Sequence, residues 1–136
     1  MMNLFEWPVR IYIEDTDAGG IVYYANYLKF FERARSEWLR AAGFNQHRLM
    51  EQGLRFVVRD LSVKYRRPAL LDEEIIVTVS LDEISKAGMT LNQTALRRSD
   101  GTEEILAEAT VRAACINEAG RPVAIPADVA EQLTPK

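Results

Sequence analysis

Apolar and polar residues alternate through Val9, Arg10, Ile11, Tyr12, Ile13 and Glu14, the two-residue period of a strand with one face buried. Pro8 opens this strand and the aspartates at 15 and 17 predict its end. From Asn26 the period lengthens. Tyr27, Phe30, Phe31, Ala34, Trp38, Ala41 and Ala42 recur at steps of three and four, while Lys29, Arg33, Glu37 and Arg40 fall on the other side. That spacing predicts a helix of about four and a half turns, with Asn26 as its N-cap and Gly43 just past its end. The segment NQHRLMEQG predicts a short second helix.

Period-two alternation then returns four times: Val57 to Tyr65, Ile75 to Leu81, Met89 to Arg98, and Ile105 to Cys115. Arg67-Pro68 ends the first of these runs, SKAG and SDG read as hairpin turns, and NEAG closes the last. PADVAEQL predicts a terminal helix. One strand, one long helix and four antiparallel strands make an α+β domain: a curved antiparallel sheet of about five strands wrapped around a central helix, the hotdog fold. Ala107, Ala109 and Ala113 are poor strand formers by themselves, and the aromatic helix is expected to fill the space they leave.

Composition sharpens this picture little. The 136 residues suit a single domain spanning 1–136, with 48% apolar and 27% charged residues. A net charge of −3 argues against a nucleic-acid surface. The lone Cys115 sits in an apolar alternation, which predicts a buried inert thiol and a cytoplasmic setting. The start MMNLFEWPVR has no signal-peptide pattern, and no run reaches the ~18 apolar residues of a membrane span.

Candidate chemistry concentrates in IEDTDAGGIVYYANY, between the first strand and the helix. Gly19 and Gly20 open backbone conformations that let a ligand approach the main chain. A calcium loop begun at Asp15 needs glutamate at its twelfth position, where Asn26 stands, so no metal is implied. The glycine pair lacks the dinucleotide pattern. His47, the only histidine, lies in a polar run, which speaks against histidine catalysis. Asp15, Asp17 and Glu32 remain. A carboxylate beside free helix amides can attack a carbonyl or activate water while the amides hold the oxyanion. Thioesters suit such a site because a thiolate, with a thiol pKa near ~8.5, leaves without a strong acid. The spacing by itself leaves the substrate open.

The stretch VRIYIEDTDAGGIVYYANYLKFFERARSEWLRAAGF, followed by FVVRDLSVKYRRPALLDE, resembles the hydroxybenzoyl-CoA thioesterase family of hotdog proteins, and within it the YbgC-type acyl-CoA thioesterases associated with the Tol-Pal system. The likeness runs from about Phe5 to Pro126. The motif is Asp15-Thr16-Asp17, Gly20, Val22-Tyr23 and Tyr27. The resemblance implies an acyl-CoA thioester hydrolase with Asp17 as nucleophile or general base, Asp15 holding the turn, and an oxyanion amide near Tyr24. Gly19, Gly20, Val22, Tyr23 and Glu32 then belong to the substrate-facing set.

It further implies a homodimer or dimer of dimers in which Phe56, Val58 and Arg59 face Asp17 of the partner subunit. Lys86, Arg66, Arg67, Arg97 and Arg98 are the candidates for the CoA phosphates. No metal or redox cofactor is implied, and an acyl carrier protein is a second possible carrier of the acyl group. Two positions depart from the YbgC-type pattern: Ile13 stands where tyrosine is usual, and Tyr24 where histidine is usual. These departures keep open a non-catalytic acyl-CoA-binding or scaffolding subunit linked to the cell envelope or lipid synthesis. A hotdog dehydratase is weaker, for want of a histidine on or before the helix.

Overall fold

The computed structural model describes residues 4–135. The elements follow in the order β1 (Phe5–Arg10), α1 (Asn26–Ala41), α2 (Gln46–Glu51), β2 (Arg55–Tyr65), β3 (Glu74–Ile84), β4 (Gly88–Ser99), β5 (Thr102–Ile116) and α3 (Ala127–Leu133). The five strands form one antiparallel sheet in the order β1-β3-β4-β5-β2, so β1 and β2 are its edges. The α+β hotdog architecture expected from the periodicity is the one observed.

The turns explain the register. Asp100 and Gly101 have φ of 50° and 80°, the left-handed pair that a two-residue hairpin needs, and they join β4 to β5 with Ser99 opposite Thr102. At the β3–β4 turn the Ser85 amide donates to the Gly88 carbonyl at 2.8 Å. A Cβ on Gly88 would fall 2.8 Å from the Ala113 carbonyl oxygen, so only glycine lets β5 pass this close. Asn117 closes the NEAG turn by accepting the Ala119 and Arg121 amides.

The first strand differs from the alternation. It begins at Phe5, where Phe5 and Trp7 pair with Val79 and Val77, and it stops at Arg10. Pro8 lies inside it, tolerated because β1 is an edge. Ile11 stays fully buried, but Ile13 is 76% exposed because Ile13–Asp15 forms a 3-10 turn. The Asp15 amide donates to the Tyr12 carbonyl at 2.9 Å and pulls the chain out of the strand direction.

Helix α1 lays Tyr27, Phe30, Phe31 and Ala34 into the core and packs against β3 and β1. Leu39 is also buried, whereas Ala41 is exposed. The buried stripe is shifted from the expected one: Leu39 joins it, and Tyr27, Phe31, half-buried Arg35 and Leu39 make a row at four-residue steps. Asn26 is not the N-cap. Ala25 precedes the helix with φ −69° and ψ −21° and offers no side-chain cap, while the Asn26 amide group donates elsewhere. Gly43 takes φ 98° past the helix end, as expected.

Ala107, Ala109 and Ala113 are buried on the inner face, and Ala113 lines a cleft, so the helix aromatics fill only part of the space those alanines leave. Cys115 is 1% exposed, and burial pushes its thiol above the ordinary range. Among the described residues no helix is long and apolar enough to cross a membrane.

Candidate active site

The DTDAGGIV segment folds as a small hairpin between β1 and α1. Thr16 bridges Val22, the Asp17 amide donates to the Ile21 carbonyl at 2.9 Å, and the Gly20 amide donates to the Asp17 carbonyl at 3.1 Å. Gly20 has φ 78°, which a side chain would strain. The hairpin is braced from behind: the Val22 amide donates to the Ala69 carbonyl at 2.9 Å, and Leu71 donates to the Gly20 carbonyl at 3.1 Å. Val22 is itself buried, so it anchors the hairpin in the core.

The two aspartates divide the work. Asp15 is buried; its Oδ2 accepts the Tyr12 amide and its Oδ1 accepts Asn26 Nδ2, each at 2.8 Å. It therefore ties the end of the first strand to the start of α1. Asp17 is exposed, and its Oδ1 accepts the Gly19 amide at 2.8 Å, the side-chain turn that aspartate favours at this position. Its second oxygen has no partner among the described residues. A Cβ on Gly19 would come within 3.3 Å of Asp17 Oδ1, so the glycine keeps the carboxylate uncrowded.

At the helix start the Tyr24 amide has no acceptor among the described residues. The Tyr24 carbonyl accepts the Tyr65 hydroxyl at 2.8 Å, and the Tyr65 ring stands edge-on to Tyr24 and to Tyr27, with centroids 6.1 and 5.4 Å apart. Tyr27 Oη accepts the Ala69 amide at 3.0 Å. Burial raises the phenols of Tyr27 and Tyr65 above their ordinary value, so Tyr65 keeps the proton it donates. Tyr23 and Tyr24 are exposed beside one another.

Residues 11–133 match the thioesterase-like superfamily. This chain belongs to that superfamily. It is 44% identical over 129 residues to the acyl-CoA thioesterase YbgC of Haemophilus influenzae, covering 93% of this chain and 92% of the relative. It is 38% identical over 132 residues to the acyl-CoA thioester hydrolase YbgC of Escherichia coli O6:H1, covering 96% of each. A solved 4-hydroxybenzoyl-CoA thioesterase superposes with a TM-score of 0.89 at 18% identity, over 96% of this chain and 99% of that one, a likeness of fold.

Within this thioesterase-like domain the expected site residues fall into separate groups. Asp17, Gly19, Gly20, Val22, Tyr23 and Tyr24 share the hairpin corner. Glu32, Phe56 and Val58 instead line a cleft of about 130 Å³ between α1 and the inner face of β2, β4 and β5. Arg59 is the extra residue of a bulge in β2, exposed at the edge. Lys86 lies in the β3–β4 turn, beside the Cys115 end of β5, whereas Tyr65 pairs with Ala107 toward the other end.

The four arginines are engaged by acids. Arg66 pairs with Glu108 at 2.8 Å, Arg67 with Glu104 at 3.1 Å, and Arg97 with Glu73 at 2.6 Å and with Glu104; Arg98 joins Glu6 and Glu103. Sequence reasoning missed three residues that shape these sites: Tyr65, Gln93 and Arg35. The signal for Arg35 was its place in the row Tyr27, Phe31, Arg35, Leu39. No local signal marks the other two.

Proposed function

We propose that the protein hydrolyses acyl-CoA thioesters with Asp17 as the reacting carboxylate. The observation that carries this reading is Asp17 itself, exposed and oriented by the Gly19 amide, with one oxygen unengaged and the Tyr24 amide open at the adjoining helix start. Its YbgC relatives support the acyl-CoA thioesterase class.

In this mechanism the Tyr24 amide holds the thioester oxygen as negative charge develops on it. Asp17 either adds to the carbonyl carbon and expels the thiolate, giving a mixed anhydride that water opens, or takes a proton from a water that adds directly. Either route consumes one water, breaks the C–S bond, and releases a free acid and a thiol. Tyr24 serves through its main chain. Gly19, Gly20 and Tyr23 border the approach. The residues need no metal or redox cofactor for these steps.

The reading includes a second copy of the chain. Edge strand β2 exposes Val58, Leu61 and Tyr65 and has no strand partner on its outer side among the described residues. Pairing there, as a homodimer or within a dimer of dimers, brings Phe56, Val58, Arg59 and the Glu32 cleft toward the hairpin corner of the other copy. Lys86 is the favoured contact for CoA phosphates, since Arg66, Arg67, Arg97 and Arg98 already hold glutamates. Acyl carrier protein is the alternative carrier, and the cytoplasm, alongside the Tol-Pal machinery, is the proposed setting.

The test is thiol release from short, long and aromatic acyl-CoAs by wild type and Asp17→Asn. Turnover by wild type with a loss of about a hundredfold or more in Asp17→Asn supports the reading. Binding without turnover in wild type overturns it in favour of a non-catalytic acyl-CoA-binding subunit.

A further inference from the structure

Arg35 lies half-buried on α1, in the row of Tyr27, Phe31 and Leu39, and lines the cleft together with Ser36, Trp38, Phe56, Val58 and Leu91. Its Nη1 donates to Gln93 Oε1 at 2.9 Å. Gln93 is 1% exposed on the inner face of β4, and its Nε2 donates to the Phe31 carbonyl at 3.0 Å and the Thr78 carbonyl at 3.3 Å. Every polar atom of the Gln93 side chain is thereby used, and the amide forms a fixed post for the guanidinium.

What the guanidinium lacks is an acid. It carries five N–H donors, of which the bond to Gln93 uses one. No carboxylate reaches it within ion-pair distance among the described residues. Burial lowers its pKa and the field of Glu32 raises it, but Glu32 is exposed and accepts the Ser36 hydroxyl at 2.7 Å. Water screens a carboxylate placed that way. A half-buried cation against apolar walls is costly without a counter-charge, and Arg66, Arg67, Arg97 and Arg98 each have one.

The cleft's size and lining limit what can supply that charge. At about 130 Å³ it is well below the ~300 Å³ and more of pockets that enclose a drug-sized ligand, a scale that fits a short acyl end rather than a CoA nucleotide. Trp38, Leu39, Phe56, Val58 and Leu91 give it walls that suit methylenes, and Glu32, Ser36 and Gln46 add polar groups to the lining beside Arg35. We propose that this cleft receives the acyl end of the substrate and that Arg35 recognises a carboxylate at the far end of a short acyl chain, which makes the CoA monothioester of a short dicarboxylic acid the substrate class. This rests on the thioester-hydrolase reading. Guanidinium and carboxylate match as a two-pronged, charge-assisted pair, so the terminal carboxylate discriminates against a methyl of the same length.

The experiment compares glutaryl-CoA with valeryl-CoA, chains of equal length, on wild type, Arg35→Met and Arg35→Lys, with each background rate subtracted. Wild type is expected to favour the glutaryl thioester in kcat/KM by about tenfold or more, and Arg35→Met to lose that preference while Arg35→Lys keeps part of it. The same pattern with glutaryl- and valeryl-pantetheine, which lack the CoA nucleotide phosphates, assigns Arg35 to the acyl carboxylate. An Arg35 effect confined to the CoA forms assigns it to a phosphate and overturns the proposal, as does equal loss on both acyl groups. Glutarate should also displace valerate from wild type in calorimetry, a readout that needs no variant to fold. If neither thioester is hydrolysed, the hydrolase reading fails, and Arg35 as a carboxylate site still stands or falls on glutarate against valerate binding.

Discussion

The Tyr65 hydroxyl on edge strand β2 donates to the Tyr24 carbonyl at 2.8 Å, tying the sheet to the turn that leads into α1. The peptide that accepts this bond carries the Ala25 amide, and the residue's own amide is the proposed oxyanion donor. Tyr65→Phe keeps the ring against Tyr24 and Tyr27 and removes only the bond. It is expected to lower kcat about three- to tenfold with KM within twofold, and to cost about 1 kcal/mol of stability. Steady-state kinetics paired with urea unfolding read both.

Asp15 and Asp17 should separate cleanly by what their amides break. Asp15→Asn turns an –NH₂ toward one of the two donors that now meet the carboxylate, so it is expected to cost roughly 1.5–3 kcal/mol of stability. Asp17→Asn can still accept the Gly19 amide through its oxygen, and its melting temperature should stay near wild type while thiol release collapses. A full-rate Asp17→Asn protein would reassign the carboxylate.

Glu73 accepts from Arg97 and from the Leu70 amide, at the turn that braces the hairpin. Hydrogen bonding from Arg97 holds its carboxyl below the usual range. A depressed carboxylate contributes stability at neutral pH and above, and that contribution is lost as pH falls below the ordinary glutamate range toward the folded-state value. Glu73→Gln should therefore lower stability at pH 7 by about 1–2 kcal/mol and flatten the acid limb of the stability profile. Unfolding curves between pH 3 and pH 7, set by the ~4.3 reference value, check it. Parallel curves for the two proteins would show that the pair contributes nothing.

The proposed assembly predicts a mass of two chains or four by light scattering. Leu61 is 38% exposed on β2, opposite Val111 of β5. Lysine on an exposed edge opposes strand-to-strand pairing, so Leu61→Lys should shift the protein toward monomer. If the site is completed by a second copy, activity should fall in step with the dimer fraction. A fully active monomer would confine the site to one chain.

The period-three-and-four stripe, the four alternating runs and the D-G turn are local patterns, and local patterns determined the helix, the strands, the hairpin register and hence the hotdog class. The D-T-D-A-G-G corner stood out as the candidate site by its aspartates and glycines, but the hairpin they form, with Thr16 bridging Val22, came only with the fold. Local reading failed where a distant or buried partner changed a residue's role. Asn26 looks like a helix cap, but the Asp15 carboxylate recruits its side chain as a donor. Ile13 continues an alternation that the Asp15–Tyr12 turn has already ended. The arginines near residues 66 and 97 look free for phosphates until the sheet sets glutamates beside them. Tyr65 meets Tyr24 across 41 positions, and Arg35 meets Gln93 across 58. Periodicity encodes which face of an element is buried, because that depends on the chain's own geometry; which polar group finds which partner inside depends on how separate elements stack, and only the folded chain decides it.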